Sequence, residues 1–287
     1  GDKPDSKMDA RDLSLYRHLE KWGEEFGGYP MVSGYQEFLY ESEKPLCGDE
    51  VAFAYAQRGA IALVCELWDF WKQTGLNVLR PFVWNYQRRS RDESIRMAEW
   101  DRDQNQSRIL RPWREFQHPQ LGAVEIGGPD SRFGIWNPPP ERLAEVCERQ
   151  AKFFLRVAAL APRLHLTETK VTHIDGDVYE VSTIVENRGY LPTFVLSSAQ
   201  QLIWNDPVRA CITVEEKMSL IGDAAEHLVG HIEGWGAVDF MSTPGFPRSG
   251  GPARRARVRW VVRGKGKVVI RAACPRAGSV ETLLEIK

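Results

Sequence analysis

Near residue 163 the spacing of apolar residues changes from one regime to another. Upstream, apolar side chains recur at three- and four-residue steps. One stretch carries Leu13, Tyr16, Leu19, Trp22 and Phe26, another Leu143, Val146, Cys147, Phe153, Phe154, Val157 and Leu160. That interval is the face of a helix. From Leu164 on the period falls to two. Short β-rich runs are separated there by Asp175-Gly176-Asp177, Asn187-Arg188-Gly189 and Gly264-Lys265-Gly266, which read as turns. Two periods in separate blocks predict two domains: an α/β domain over 1–163 and an all-β sandwich over 164–287, with six or more strands in about 120 residues.

Local signals bound the elements. Asp9 and Gly27-Gly28 bracket the first helical pattern as N-cap and terminator, and Asp49 and Gly59 bracket a short helix over 50–58. The run from Ala60 to Val64 that follows is apolar on both faces, as a strand inside a covered parallel sheet must be, so a strand is predicted over 60–67. Asn137-Pro138-Pro139-Pro140 marks the start of the last helix of the block. Residues 87–108 are dense in Arg, Asp, Glu and Gln and predict a surface helix beside the core, within an insertion spanning about 84–117.

Charge excludes some functions. Thirty-eight basic residues against thirty-nine acidic give a net charge of -1, so no global field draws the chain to nucleic acid or a membrane surface. The basic run Arg254–Lys267 is the local exception. Its alternation with apolar residues about Gly264-Lys265-Gly266 predicts the solvated face of a hairpin. No nucleic-acid or membrane partner is expected, and no apolar run approaches the roughly 20 residues a spanning helix needs. Five scattered cysteines without a Cys-x-x-Cys pair argue against a disulfide framework and favour a reducing, cytoplasmic setting. The chain opens Gly-Asp-Lys-Pro rather than with methionine, and it is expected to be a piece of a longer protein.

Two acids stand in apolar settings. Glu66 lies between Cys65 and Leu67 at the end of the 60–67 run, and Glu125 lies within Ala123-Val124-Glu125-Ile126-Gly127-Gly128. A carboxylate partly withdrawn from water is either a proton-transfer group with a tuned pKa or a structural acid paired with a cation or helix end. The spacing of His227 and His231 matches a metal pair on a helix, but Val229-Gly230 and Gly234-Trp235-Gly236 predict strand and turn there. No phosphate-binding glycine loop and no nucleophile elbow occurs.

The order of a Tyr-rich loop, the helix over 50–58, the segment Ala62-Leu63-Val64-Cys65-Glu66-Leu67-Trp68-Asp69, Leu121–Gly128, Asn137–Pro140 with its helix, and Val185–Thr193 resembles the C-terminal half of a zinc carboxypeptidase. The family is that of carboxypeptidase A-like metallopeptidases, in its bacterial type with a trailing β domain. The resemblance covers about residues 10–195. It implies a partial carboxypeptidase-like mixed sheet with helices, a peptide or protein C-terminus as substrate, and zinc as cofactor of the complete protein. It makes Glu66 the catalytic acid, with Glu125 as a rival, and Tyr40 or else Tyr35 the tyrosine that closes over the substrate. The family's His-x-x-Glu zinc pair has no counterpart, because His18 is followed at that spacing by Lys21, His118 by Leu121 and His227 by Gly230. No metal is therefore expected on this chain alone, which is expected to be inactive by itself and to self-associate through an exposed sheet edge. The alternative is a non-catalytic peptide- or protein-binding module on a degenerate peptidase scaffold.

Overall fold

The computed structural model describes residues 8–33, 48–222, 224–237 and 254–287. Two compact units emerge. One comprises Gly1–Val51 and Leu63–Leu155, the other Ala52–Ala62 and Arg156–Lys287. Among the described residues no helix is long and apolar enough to cross a membrane.

Among its described residues the first unit holds helices and one hairpin. Helix α1 (Ala10–Trp22) begins where the Asp9 carboxylate accepts from the amides of Arg11 and Asp12, and a π-helical turn over Gly23–Gly27 ends it at the left-handed Gly28. Helix α2 (Glu50–Arg58) starts in this unit but lies mostly in the Ala52–Ala62 stretch of the second, and α3 (Phe70–Gln73), α4 (Trp84–Gln87) and α5 (Arg91–Gln104) follow in the first. Ser90 and Glu93 form a reciprocal capping box at the start of α5. Strands β1 (Leu110–His118) and β2 (Gly122–Pro129) make an antiparallel hairpin, and α6 (Leu143–Ala158) follows Pro140. Trp68, Phe70, Trp71, Leu76, Trp100, Ile109 and Val146 form the buried cluster of this unit.

Two expectations are corrected here. Residues 60–66 form neither helix nor strand and Leu67 lies in a bend, so the predicted strand is absent there, and the sheets among the described residues are all antiparallel. Helix α5 is not purely a surface element, since Trp100 lies in the core against Trp68 and Phe70, with ring centroids 6.0 and 5.3 Å away. A polar composition hid that single anchoring residue. The strand β1, for which the sequence carried no signal, holds Pro112 and is exposed along nearly its whole length, so it shows neither alternation nor an apolar face.

Among its described residues the second unit holds eight strands: β3 (Leu164–Asp175), β4 (Val178–Asn187), β5 (Val208–Val214), β6 (Ser219–Leu220), β7 (Glu226–Gly230), β8 (Arg255–Arg263), β9 (Gly266–Cys274) and β10 (Gly278–Ile286). They form two four-stranded antiparallel sheets, ordered β3-β4-β8-β6 and β10-β9-β5-β7. One hydrophobic cluster takes Val181, Val185, Val258, Trp260 and Val262 from the first sheet and Val208, Ile212, Val268, Ile270 and Ile286 from the second. The β-rich character read from the period of two is therefore observed. The turn at Gly264-Lys265-Gly266 does not join a hairpin, however. It carries the chain from β8 in one sheet to β9 in the other.

Candidate functional site

Glu66 sits on a segment fixed at both ends. At its entry, Gly59 adopts a left-handed φ of +56°, and the amides of Gly59 and Ala60 bond back to the carbonyls of Tyr55 and Ala54 at 3.0 Å, which ends α2 in the manner that favours glycine. At its exit, Trp68 is buried and its indole N–H donates to the Gly134 carbonyl at 3.0 Å. Asp69 then caps α3, accepting from the Lys72 amide at 3.1 Å. Between these points Cys65 turns inward, its thiol donating to Gln150 Oε1 at 3.0 Å, and Gln150 Nε2 donates to the Gly27 carbonyl.

Glu66 itself is exposed, as are Val64 at 50% and Leu67 at 37%. Two apolar side chains left in water beside a carboxylate mark a surface that the described residues do not cover. The inward-facing groups have their titration moved by the surrounding protein. Burial, and then the neighbouring Glu66 carboxylate, push the Cys65 thiol up to about 11, so it remains a thiol at neutral pH and is not a nucleophile. Burial also raises the Asp69 carboxyl against the opposing pull of Lys72, and pushes the Tyr29 phenol up to about 12, with Cys65 and Asp69 adding to the shift. Asp69 is engaged in capping, which leaves Glu66 as the segment's outward-facing acid.

Glu125 has a different setting. It is exposed on β2, directly opposite Glu115 of β1. No hydrogen bond or ion pair joins it to Glu66 among the described residues. Tyr35 and Tyr40 lie outside the described residues. His227 and His231 fall in β7 and just after it, on strand and turn. The ring of His227 meets the Arg259 carbonyl at 3.1 Å, while His231 Nδ1 meets Thr193 Oγ1 at 3.2 Å. Among the described residues no group of three or more His, Cys, Asp or Glu is placed to hold a metal.

The basic run of β8 is matched by acids. Arg255 faces Glu186 at 3.4 Å, Arg257 faces Glu168 at 2.9 Å, Arg259 faces Glu180 at 3.9 Å and Arg263 faces Asp177 at 3.6 Å. All four acids belong to β3, β4 or the turn between them. Surface pairs of this kind add little stability, but they replace a cationic stripe with alternating charge.

Sequence reasoning missed the residues that hold this segment from afar. Gln150 lies 85 positions from Cys65. Arg276, after β9, donates a guanidinium N–H to the Arg58 carbonyl at the end of α2, across 218 positions. No local pattern carries such information.

Residues 163–285 match the model of one family, described as a domain of unknown function (DUF8731). No curated protein matches the chain. Solved structures with similarity include β-glucosidase 3B from Thermotoga neapolitana in complex with glycerol, at 12% identity and a TM-score of 0.20, over 44% of this chain and 16% of that one. A GH3 β-glucosidase from Bifidobacterium adolescentis follows at 7% identity and 0.21, over 44% and 17%. An oxidised superoxide reductase stands at 13% identity and 0.20, over 44% of this chain and 87% of that one. This chain thus spans under a fifth of the length of the glucosidases, and scores at this level establish no shared fold. The family match covers the β-rich part alone.

Proposed function

We propose that residues up to about 163 are the C-terminal portion of a zinc-carboxypeptidase-like domain, followed by a β-sandwich accessory domain, and that Glu66 is its proton-transfer residue in hydrolysis of C-terminal peptide bonds. The observation that carries this reading is the exposed Glu66 carboxylate between the inward-turned Cys65 and the buried Trp68, on an apolar segment that belongs to no helix or strand. An accessible carboxylate can take a proton from the water that attacks a peptide carbonyl and deliver it to the departing amine. Tyr40 or Tyr35 would lie over the substrate.

The described residues do not fit a zinc ion, so on this reading the metal's ligands come from residues outside these 287. The exposed Val64 and Leu67 are consistent with that, being the apolar side chains that an adjoining strand of a completed sheet would cover. The test is Glu66→Gln in the protein that carries the zinc ligands. Hydrolysis of peptides with a free C-terminus should fall by about 10²–10⁴-fold with zinc content unchanged. Retained activity would remove Glu66 from the role, and Glu125→Gln would then be the variant to assay. A zinc-loaded parent that binds peptides without cleaving them would favour a binding module instead.

A further inference from the structure

In the β-rich unit the chain turns tightly after the 3-10 turn Ser197–Gln201. The Asn205 amide bonds to the Leu202 carbonyl at 2.9 Å, which puts Ile203 and Trp204 at the tip. Such tips favour Gly, Pro, Asn, Asp and Ser. This one carries two large apolar side chains, with Ile203 88% exposed and Trp204 41%. Their exposure is built in. Asn205 is buried, its side-chain amide donates to the carbonyls of Phe194 and Ala199, and its Oδ1 accepts from Arg276 Nε at 3.0 Å, so the base of the turn is fixed and the tip is held outward. Helix α2 extends the patch within the same unit, to which Ala52–Ala62 belong. Its end is seated by the Arg276 guanidinium, which donates to the Arg58 carbonyl, and by Gly59, where a Cβ would collide with Ala199. Phe53 is 51% exposed, and the Arg58 guanidinium lies 5.4 Å from its ring and 5.3 Å from that of Trp204.

The charges of this patch are left open. Arg188, Arg209 and the arginines of β8 each meet an acid. The Arg58 guanidinium meets none among the described residues, and the exposed Asp206 carboxylate, just beyond Asn205, has neither an ion pair nor a hydrogen bond there. An apolar centre flanked by one open cation and one open anion is complementary to itself. About a two-fold axis residue i meets j while j meets i, so each copy's Arg58 can face the other's Asp206. We propose that Phe53, Arg58, Ile203, Trp204 and Asp206 form the contact surface between two copies of this chain, packed about a two-fold axis. Trp204 and Arg58 are of the residue types that anchor protein interfaces, and a turn already fixed at its base loses little freedom on binding. This surface is separate from any sheet edge, and the pairing does not depend on the peptidase reading.

Sedimentation equilibrium of the 287-residue chain, carried to about 100 μM because small interfaces are weak, should show monomer and dimer in exchange. Ile203→Glu and Arg58→Asp should each weaken the dimer about 30-fold or more, as loss of an anchoring residue does. Asp206→Arg should weaken it as well, by setting like charges against each other across the axis. Combining Arg58→Asp with Asp206→Arg reverses both charges and should restore most of the affinity. If Arg58→Asp does not fold, Ile203→Glu at the exposed tip gives the same comparison. A wild type that stays monomeric throughout overturns the proposal. So does a dimer indifferent to these single variants, since it is then held elsewhere, as through a sheet edge. Weakening by each charge variant without recovery in the combined one overturns the Arg58–Asp206 contact and with it the two-fold arrangement.

Discussion

Asp101 shows how much one side chain can organise in this protein. It is almost wholly buried, and its two oxygens accept from the Ile109 and Leu110 amides and from Asn105 Nδ2 at 2.8–2.9 Å. Asn105 in turn donates to the Phe133 carbonyl. Asp101→Ala strands these donors, each worth about 1–3 kcal/mol when left buried and unpaired. Urea unfolding of the first unit should register a loss of roughly 2–4 kcal/mol; a loss under about 0.5 kcal/mol would show that water takes the carboxylate's place. Cys65 offers a chemical check on the site. With its thiol pushed up to about 11, it should resist alkylation at neutral pH and gain reactivity only as pH approaches that value, whereas the exposed Cys147 reacts first. Rapid labelling of Cys65 at pH 7 would mean that the Gln150 contact opens. Neither Asp101 nor Gln150 was legible in the sequence, where Asp101 is one acid among many in a charged helix and Gln150 one polar residue on α6.

At the scale of the element, the β1–β2 hairpin combines a structural demand with a conflict. Its register shifts between Arg111 and Arg114, so that Pro112 and Trp113 bulge against Gly127. A Cβ on Gly127 would sit 2.6 Å from the Trp113 Cα, and Gly127→Ala should disrupt the pairing. Glu115 and Glu125 stand directly opposite each other, and like charges so placed destabilise a pair of strands. Glu125→Lys should therefore stabilise the hairpin by about 0.2–1 kcal/mol, read as a rise in Tm; a fall would show that the acid is tied to something else. The helices α1, α2 and α6 were legible because caps and a 3.6-residue period act locally. The segment 60–67 was legible as apolar but was misread as a strand, since an apolar run records that a chain prefers burial and not what buries it. The glycine turn at 264–266 misled for a related reason. A tight turn joins two strands of one sheet or passes between two sheets with the same residues.

Across the whole molecule, the two units differ in how they are built, and each should unfold with its own transition. The β-rich unit carries a pH signature. Burial, assisted by the charge of Arg276, holds the pKa of His231 below the ordinary histidine value, against the pull of a backbone hydrogen bond at Asn205. The unfolded chain then binds the proton first. Stability from this site is complete above about pH 6.5 and is lost as pH falls from there towards the folded-state pKa. Denaturant unfolding at pH 7.5 and 5.5 should show the loss for the β-rich unit, and His231→Asn should reduce it; an unchanged slope in that variant would assign the effect elsewhere. The division into helical and β-rich blocks was readable from periodicity. The membership of Ala52–Ala62 in the second unit was not, because it depends on contacts that span most of the chain.

That long span has a consequence for how the protein is made. The Arg58 carbonyl leaves the ribosome more than two hundred residues before the arginine that holds it. β4 likewise waits for β8, and β5 for β9. Until the last strands emerge, the Arg58 end of α2 lacks this partner, and nascent chains halted before residue 276 should remain open to protease around Gly59 while chains halted beyond the final strand are not. The order of synthesis thus withholds the seating of Ala52–Ala62 until the β-rich unit is complete.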